Sequence, residues 1–229
     1  IPPTPTLPSP VETAVPATQT PIPAPLEAAP ITIPLAGPAA DADAEISGMA
    51  WYGDWLILLP QYPTFAGGGE DGLLFALPKT DILAFLDGAL DGPLTPLEIP
   101  FIGNLGRELS GFEGFEAITF EGDSAYLTVE TSPGKMLGYL VSGQMAPDLS
   151  RFTLNLDAAT PIEPQVDSPN HSDETILLAD DTLLTIYEAS GLPENPVAHR
   201  FGMDLQPLGT IGFPSIPYRV TDATAVDEN

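Results

Sequence analysis

Seven residues beyond each of three turn pairs, Gly53-Asp54, Gly122-Asp123 and Asp180-Asp181, the chain carries Gln61, Glu130 and Glu188. The same turns are preceded by segments that open on Ser47, Glu116 and Glu174, and a fourth such segment opens on Asp222. Strands of a hairpin run antiparallel, so the start of the first and the end of the second share one edge of the sheet. Glu116 therefore falls beside Glu130, and Glu174 beside Glu188, with Glu45 as the acid next to Ser47. If the first strands line a common axis, these groups converge on one acidic mouth. Crowded carboxylates raise one another's pKa unless a cation neutralises them. Calcium is the expected ion, because it takes roughly six to eight oxygen ligands from carboxylates, carboxamides and water. The competing reading is a solvated rim in a chain that holds 32 acids.

The elements that must position these groups are strands. Glu116-Ala-Ile-Thr-Phe-Glu-Gly-Asp123, Glu174-Thr-Ile-Leu-Leu-Ala-Asp-Asp181, Asp222-Ala-Thr-Ala-Val-Asp-Glu-Asn229 and Ser47-Gly-Met-Ala-Trp-Tyr-Gly-Asp54 share one grammar: an acid or hydroxyl, an apolar run, a turn pair. Second apolar runs follow in Trp55–Leu59, Ala125–Val129 and Leu183–Tyr187, so each copy reads as a β-hairpin. Two more strands are expected in each unit: Gly72–Leu77 and Leu97–Ile102, Met136–Val141 and Phe152–Leu156, Val197–Met203 and Leu208–Phe213. Asp81–Leu86 is the one plausible helical turn. Units of four strands predict an all-β fold, a β-propeller with four-stranded blades. About three blades and the first strand of a fourth are present, which reads as a fragment of a larger ring, because closure needs at least about four blades.

Trp51, Phe120, Leu178 and Val226 occupy one aligned position, at an even offset from the acidic position. On an ideal strand both sets then share a face, which conflicts with acids in a channel and aromatics in a core. A bulge or a widening toward the rim would resolve the conflict, which otherwise weakens the site reading. The apolar series is read as packing between blades.

Composition narrows the function classes. The formal charge is −26, and no Lys or Arg precedes Lys79, so nucleic acid and anionic lipid are disfavoured as partners. Cysteine is absent, which removes disulfides and thiolate chemistry. No apolar run approaches the ~20 residues of a membrane span. Residues 1–40 hold 12 of the 28 prolines and are expected to form a solvated linker, either an anchoring tether to a membrane or wall or a plain disordered tail, ahead of a domain over 41–229.

Other motifs carry less. Gly67-Gly-Gly-Glu-Asp-Gly72 fits a dinucleotide pattern but joins two expected strands instead of opening a helix. Asp41-Ala-Asp-Ala-Glu45 lacks the spacing of a calcium loop. His171 and His199 are the two histidines; His171, adjacent to the mouth, is the candidate general base, with a capping or loop role as its alternative. Ser172, His171 and Asp173 are neighbours in sequence, an arrangement that does not in general assemble a triad.

The runs Ser47–Asp54, Gly114-Phe-Glu-Ala-Ile-Thr-Phe120, Ser172-Asp-Glu-Thr175 and Tyr218-Arg-Val-Thr-Asp-Ala-Thr224 resemble the phytase-like ("esterase-like activity of phytase") group of bacterial exported β-propellers. More distantly, the layout is similar to calcium-dependent propeller lactonases and strictosidine-synthase-like proteins. The resemblance implies a six-bladed ring with an axial metal site on Glu116, Glu174 and Asp222; the hairpin spacing itself places Gln61, Glu130 and Glu188, with Glu45, as the ligand rim. Ser47 departs from the acidic pattern. The function so implied is an exported calcium-binding propeller that engages a small molecule or extracellular ligand. The alternative is a calcium-dependent hydrolase of phosphoester or lactone type.

Overall fold

Turn chemistry sets the first level of structure. The computed structural model describes residues 29–66 and 72–225. In it the three expected hairpins close through two-residue turns, with Tyr52 paired to Trp55, Glu121 to Ser124 and Ala179 to Thr182. The first turn residues, Gly53, Gly122 and Asp180, have φ of 56°, 55° and 52°. Glycine and aspartate tolerate that left-handed backbone, which matches the twist of the flanking strands.

Among the described residues these hairpins grow into three antiparallel meanders. The first is β1 (Ile46–Tyr52), β2 (Trp55–Pro60), β3 (Gly72–Pro78) and β4 (Leu97–Ile102), with helix α1 (Lys79–Leu86) between its last two strands. The second is β5 (Phe112–Glu121), β6 (Ser124–Thr131), β7 (Leu137–Met145) and β8 (Phe152–Ile162). The third is β9 (Asp173–Ala179), β10 (Thr182–Tyr187), β11 (Val197–Phe201) and β12 (Pro207–Gly212). The protein is therefore all-β in character.

Two of the expected four-stranded units are joined. Phe101 and Ile102 of β4 pair in parallel with Phe152 and Thr153 of β8, giving an eight-stranded sheet ordered β1-β2-β3-β4-β8-β7-β6-β5. That sheet folds over until its edge strands β1 and β5 meet, a nearly closed, barrel-like arrangement. The third meander is a separate sheet. The segment from Asp222 has no strand over its described residues, and its end, with Val226, lies outside them, as do residues 67–71 of the glycine-rich loop and residues 1–28.

Burial explains the stacking. Ile57, Leu74, Phe101, Phe115, Leu127 and Phe152 belong to a core between the first two meanders. Phe101 is its hub, 5.3 Å from the Phe115 ring and 5.1 Å from that of Phe152. A second core, with Ala117, Leu140, Ile176, Leu183 and Phe201, joins the second meander to the third. The outer face of the first meander, through Leu58, Phe75 and Leu77, is covered by Ile33, Leu35 and Ala39. Leu35 bridges Leu94, and the Ala36 amide donates to the Leu94 carbonyl at 2.8 Å. Residues 33–39, which proline content assigned to the linker, thus belong to the packed unit, which begins at Thr32. No helix among the described residues is long and apolar enough to cross a membrane.

The backbones of β1 and β5 approach closely at Gly48, where a Cβ would lie 3.0 Å from Ala117 Cα and 3.2 Å from the Glu116 carbonyl oxygen. Both neighbours are backbone. Gly48→Val is expected to cost about 1–3 kcal/mol in urea denaturation. Gly212→Ala, whose added Cβ meets open space, should stay within about 0.5 kcal/mol of the parent.

Candidate functional site

Each first strand carries a β-bulge at the same place. Gly48 pairs with Leu59 and Ile46 with Pro60, leaving Ser47 as the extra residue. Phe115 pairs with Val129 and Ala117 with Thr128, leaving Glu116. Asp173 pairs with Tyr187 and Thr175 with Ile186, leaving Glu174. A bulge bends its strand and re-aims a side chain. It also resolves the parity conflict, since Phe115 and Ile118, three residues apart, both enter the same core.

The re-aimed acids meet the strand-end acids. Oxygens of Glu130, Glu174 and Glu188, one from each, all lie within 4.8 Å of one another. Glu188 is fully buried, while Glu130 and Glu174 are each 8% exposed. Glu116 borders the same group, its Oε1 accepting from Gln61 Nε2 at 3.1 Å. One cation faces them. Arg219, on the segment after β12, donates to Glu174 Oε1 at 2.5 Å and pairs with Glu188 Oε2. Glu130 Oε1 and Glu188 Oε1 are buried and lack a well-formed hydrogen bond, although Ser172 beside Glu130 and Glu174 beside Glu188 partly favour their charged forms.

The electrostatics follow from burial. Desolvation, then the charges of Glu130 and Glu174, push the Glu116 carboxyl up to about 8, against a smaller opposing effect of the Gln61 hydrogen bond. Glu130 is raised chiefly by burial. Burial and the neighbouring Glu188 charge raise Glu174, with Arg219 opposing. Glu188 is raised by burial against the pull of Arg219. Each of these groups is held toward its protonated form.

The other expected site residues lie apart. Asp222 is exposed, its Oδ1 accepting from the Ala223 amide at 2.7 Å, and it is not among the converging carboxylates. The described part of its segment is not a strand, so no paired bulge aims it inward; Arg219, three residues earlier, faces the acids instead. Glu45 is exposed with φ of 39°, and its backbone carbonyl accepts from the Gln61 amide. Ser47 Oγ donates to the Phe115 carbonyl at 2.7 Å and so ties β1 to β5. His171 Nδ1 lies 2.6 Å from Ser168 Oγ, in a cleft of about 300 Å³ walled by Leu192, Pro217, Tyr218 and Arg219.

Two features escape a sequence reading. Arg219 is one of only six basic residues, and that scarcity was the signal available for it. Asp173 accepts from Thr185 Oγ1 at 2.9 Å and lies 3.3 Å from His199 Nδ1, a buried polar link across β9, β10 and β11. At the far end of the first strands, Trp51, Phe120 and Leu178 line a cavity of about 330 Å³ with Ala223 and Ala225.

No family model matches the chain, and no curated protein matches it. Among solved structures it is similar to a DUF4623 family protein from Bacteroides eggerthii DSM 20697, with 8% identity and a TM-score of 0.43. That match covers 82% of this chain, which spans 40% of the other protein's length. At this level the likeness bears on neither activity nor ligand.

A carboxyl raised by burial favours the fold while protonated; that stability is present below the unfolded value near 4.5 and is lost as pH rises through about 8. Glu116→Gln, which keeps an acceptor for Gln61 and removes the charge, should raise the metal-free melting temperature by several degrees at pH 8.5. It should leave the melting temperature near pH 4.5 unchanged. Calorimetry at the two pH values checks this.

Proposed function

We propose that the three meanders are blades of a β-propeller and that the protein is an exported binding protein with calcium seated among Glu130, Glu174 and Glu188. The propeller reading is supported by the repeated four-strand order and by the packing of β1 against β5 and of β5 against β9. Export is supported by the proline-rich linker and by the family resemblance.

One observation carries the cation: two buried carboxylate oxygens, Glu130 Oε1 and Glu188 Oε1, lack a well-formed hydrogen bond beside a third carboxylate, with Ser172 and Glu174 close enough to favour their charged forms in part. An unpaired buried oxygen costs about 1–3 kcal/mol, more when charged, and a hard cation removes that cost by direct coordination. Three carboxylates leave coordination positions open for water and for an oxygen of the ligand. The cleft at His171 borders Arg219 and hence the cluster, and it is where a small extracellular ligand would enter.

A hydrolytic reading has one observation in its favour. Glu116, held near 8, exchanges protons close to neutral pH beside the cation position, as a general acid or base of a phosphoester or lactone hydrolase must.

Titrating the whole chain with calcium chloride at pH 8 tests the proposal. Saturation about 100-fold above Kd adds about 2.7 kcal/mol of stability, a rise of several degrees in Tm, reversed by chelator. Glu188→Gln should abolish the rise. An unchanged Tm with no binding heat at millimolar calcium would sink the cation reading. For the second reading, turnover of an ester, lactone or phosphate substrate in calcium should disappear in Glu116→Gln; calcium binding without turnover rejects it.

A further inference from the structure

The segment 213–225 after β12 contains no strand among its described residues, yet it lies along the third meander through a small set of fastenings. The Phe213 amide donates to the Pro196 carbonyl, and the Val220 amide to the Glu188 carbonyl at 2.8 Å. The Ile216 amide donates to Ser190 Oγ at 3.3 Å, and Thr175 Oγ1 to the Val220 carbonyl at 3.0 Å. The charged fastening is Arg219 on Glu174 and Glu188, two of the three converging carboxylates. Its side chain is 54% exposed, so solvent offers it an alternative position at little cost, whereas Glu188 has none.

We infer that Arg219 is a built-in occupant of the cation site, and that a divalent cation entering among Glu130, Glu174 and Glu188 displaces it and loosens the 213–225 strap. This rests on the calcium reading above. The warrant is competition for the same atoms. A guanidinium and a metal ion cannot both neutralise Glu174 Oε1 and Glu188 Oε2 at contact distance without mutual repulsion. The ion also reaches Glu130 Oε1, with which Arg219 makes no ion pair and which lacks a well-formed hydrogen bond. Guanidinium hydrates weakly and pairs readily with carboxylates, which suits it as a placeholder in the empty site.

The consequence for ligand binding is geometric. Ile216, Pro217, Tyr218 and Arg219 form one side of the cleft that His171, Gly191 and Leu192 close from the other. A strap released at Arg219 moves that side, so cation occupancy controls the shape of the ligand cleft. Arg219, once freed, presents its donors to a carboxylate or phosphate group entering there, while the ion offsets the acids behind it.

Calorimetric titration of calcium chloride at pH 8 into the wild type and Arg219→Gln, each as the whole chain, tests the inference. The variant should bind calcium at least about ten-fold more tightly, because the competitor is gone. Arg219→Lys, with a shorter fork-free reach, should fall between the two. Equal or weaker binding by Arg219→Gln overturns the inference, since Arg219 would then be a passive or supporting neighbour. Should neither protein bind calcium, the cation reading itself fails and this inference falls with it. Amide exchange in the wild type gives an independent readout in case the variant folds poorly. Calcium should speed exchange at the Ile216 and Val220 amides several-fold; slowed or unchanged exchange in a calcium-bound protein overturns the inference.

Discussion

The arrangement depends on one irregularity of register, repeated in three strands. A regular strand alternates its side chains strictly, so Glu116 and Phe120 would share a face, as would Glu174 and Leu178. The extra residue at Ser47, Glu116 and Glu174 breaks that alternation before each strand enters its core. It lets Phe115 and Ile118 pack together while Glu116 leaves the ladder. The acidic cluster and the apolar cores therefore come from the same local feature.

The bulges gather negative charge where water is scarce. Four glutamates meet one arginine, and burial is the leading cause of the raised pKa at each of the four. Such a group of carboxylates weakens the folded state whenever all are ionised, so the surrounding packing has to offset it. The cores on either side of the second meander do so with large, fully buried side chains, among them Phe101, Phe152, Leu127 and Leu140. Fold and site thus divide the labour: rigid meanders carry the stability, and the converging strand ends carry the chemistry.

The first strands are also polar along their length. Their starts face the carboxylates and Arg219, while their ends, at Trp51, Phe120 and Leu178, line a cavity of mixed polarity. The segment 213–225 touches both, through Arg219 at one end and Ala223 at the other. It is held by scattered hydrogen bonds instead of a ladder, and elements held that way open more readily than sheet interiors.

Much of this was legible from the residues alone. Two-residue turns at Gly53, Gly122 and Asp180, and the two outer strands of each unit, follow from local turn chemistry and alternation, because those signals act over a few neighbours. The pairing of Glu116 with Glu130 and of Glu174 with Glu188 at common sheet edges follows from hairpin arithmetic. What only the tertiary structure decided is contact between units: the parallel Phe101–Phe152 junction that joins two meanders, and the covering of the first by Ile33 and Leu35. The same holds for the choice of Glu130, Glu174 and Glu188 as the converging trio and the seating of Arg219 where Asp222 was expected. The reason is physical. Turns and registers are set by neighbours in sequence, whereas which charges are buried together is set by how whole sheets pack, and no spacing along the chain encodes that distance.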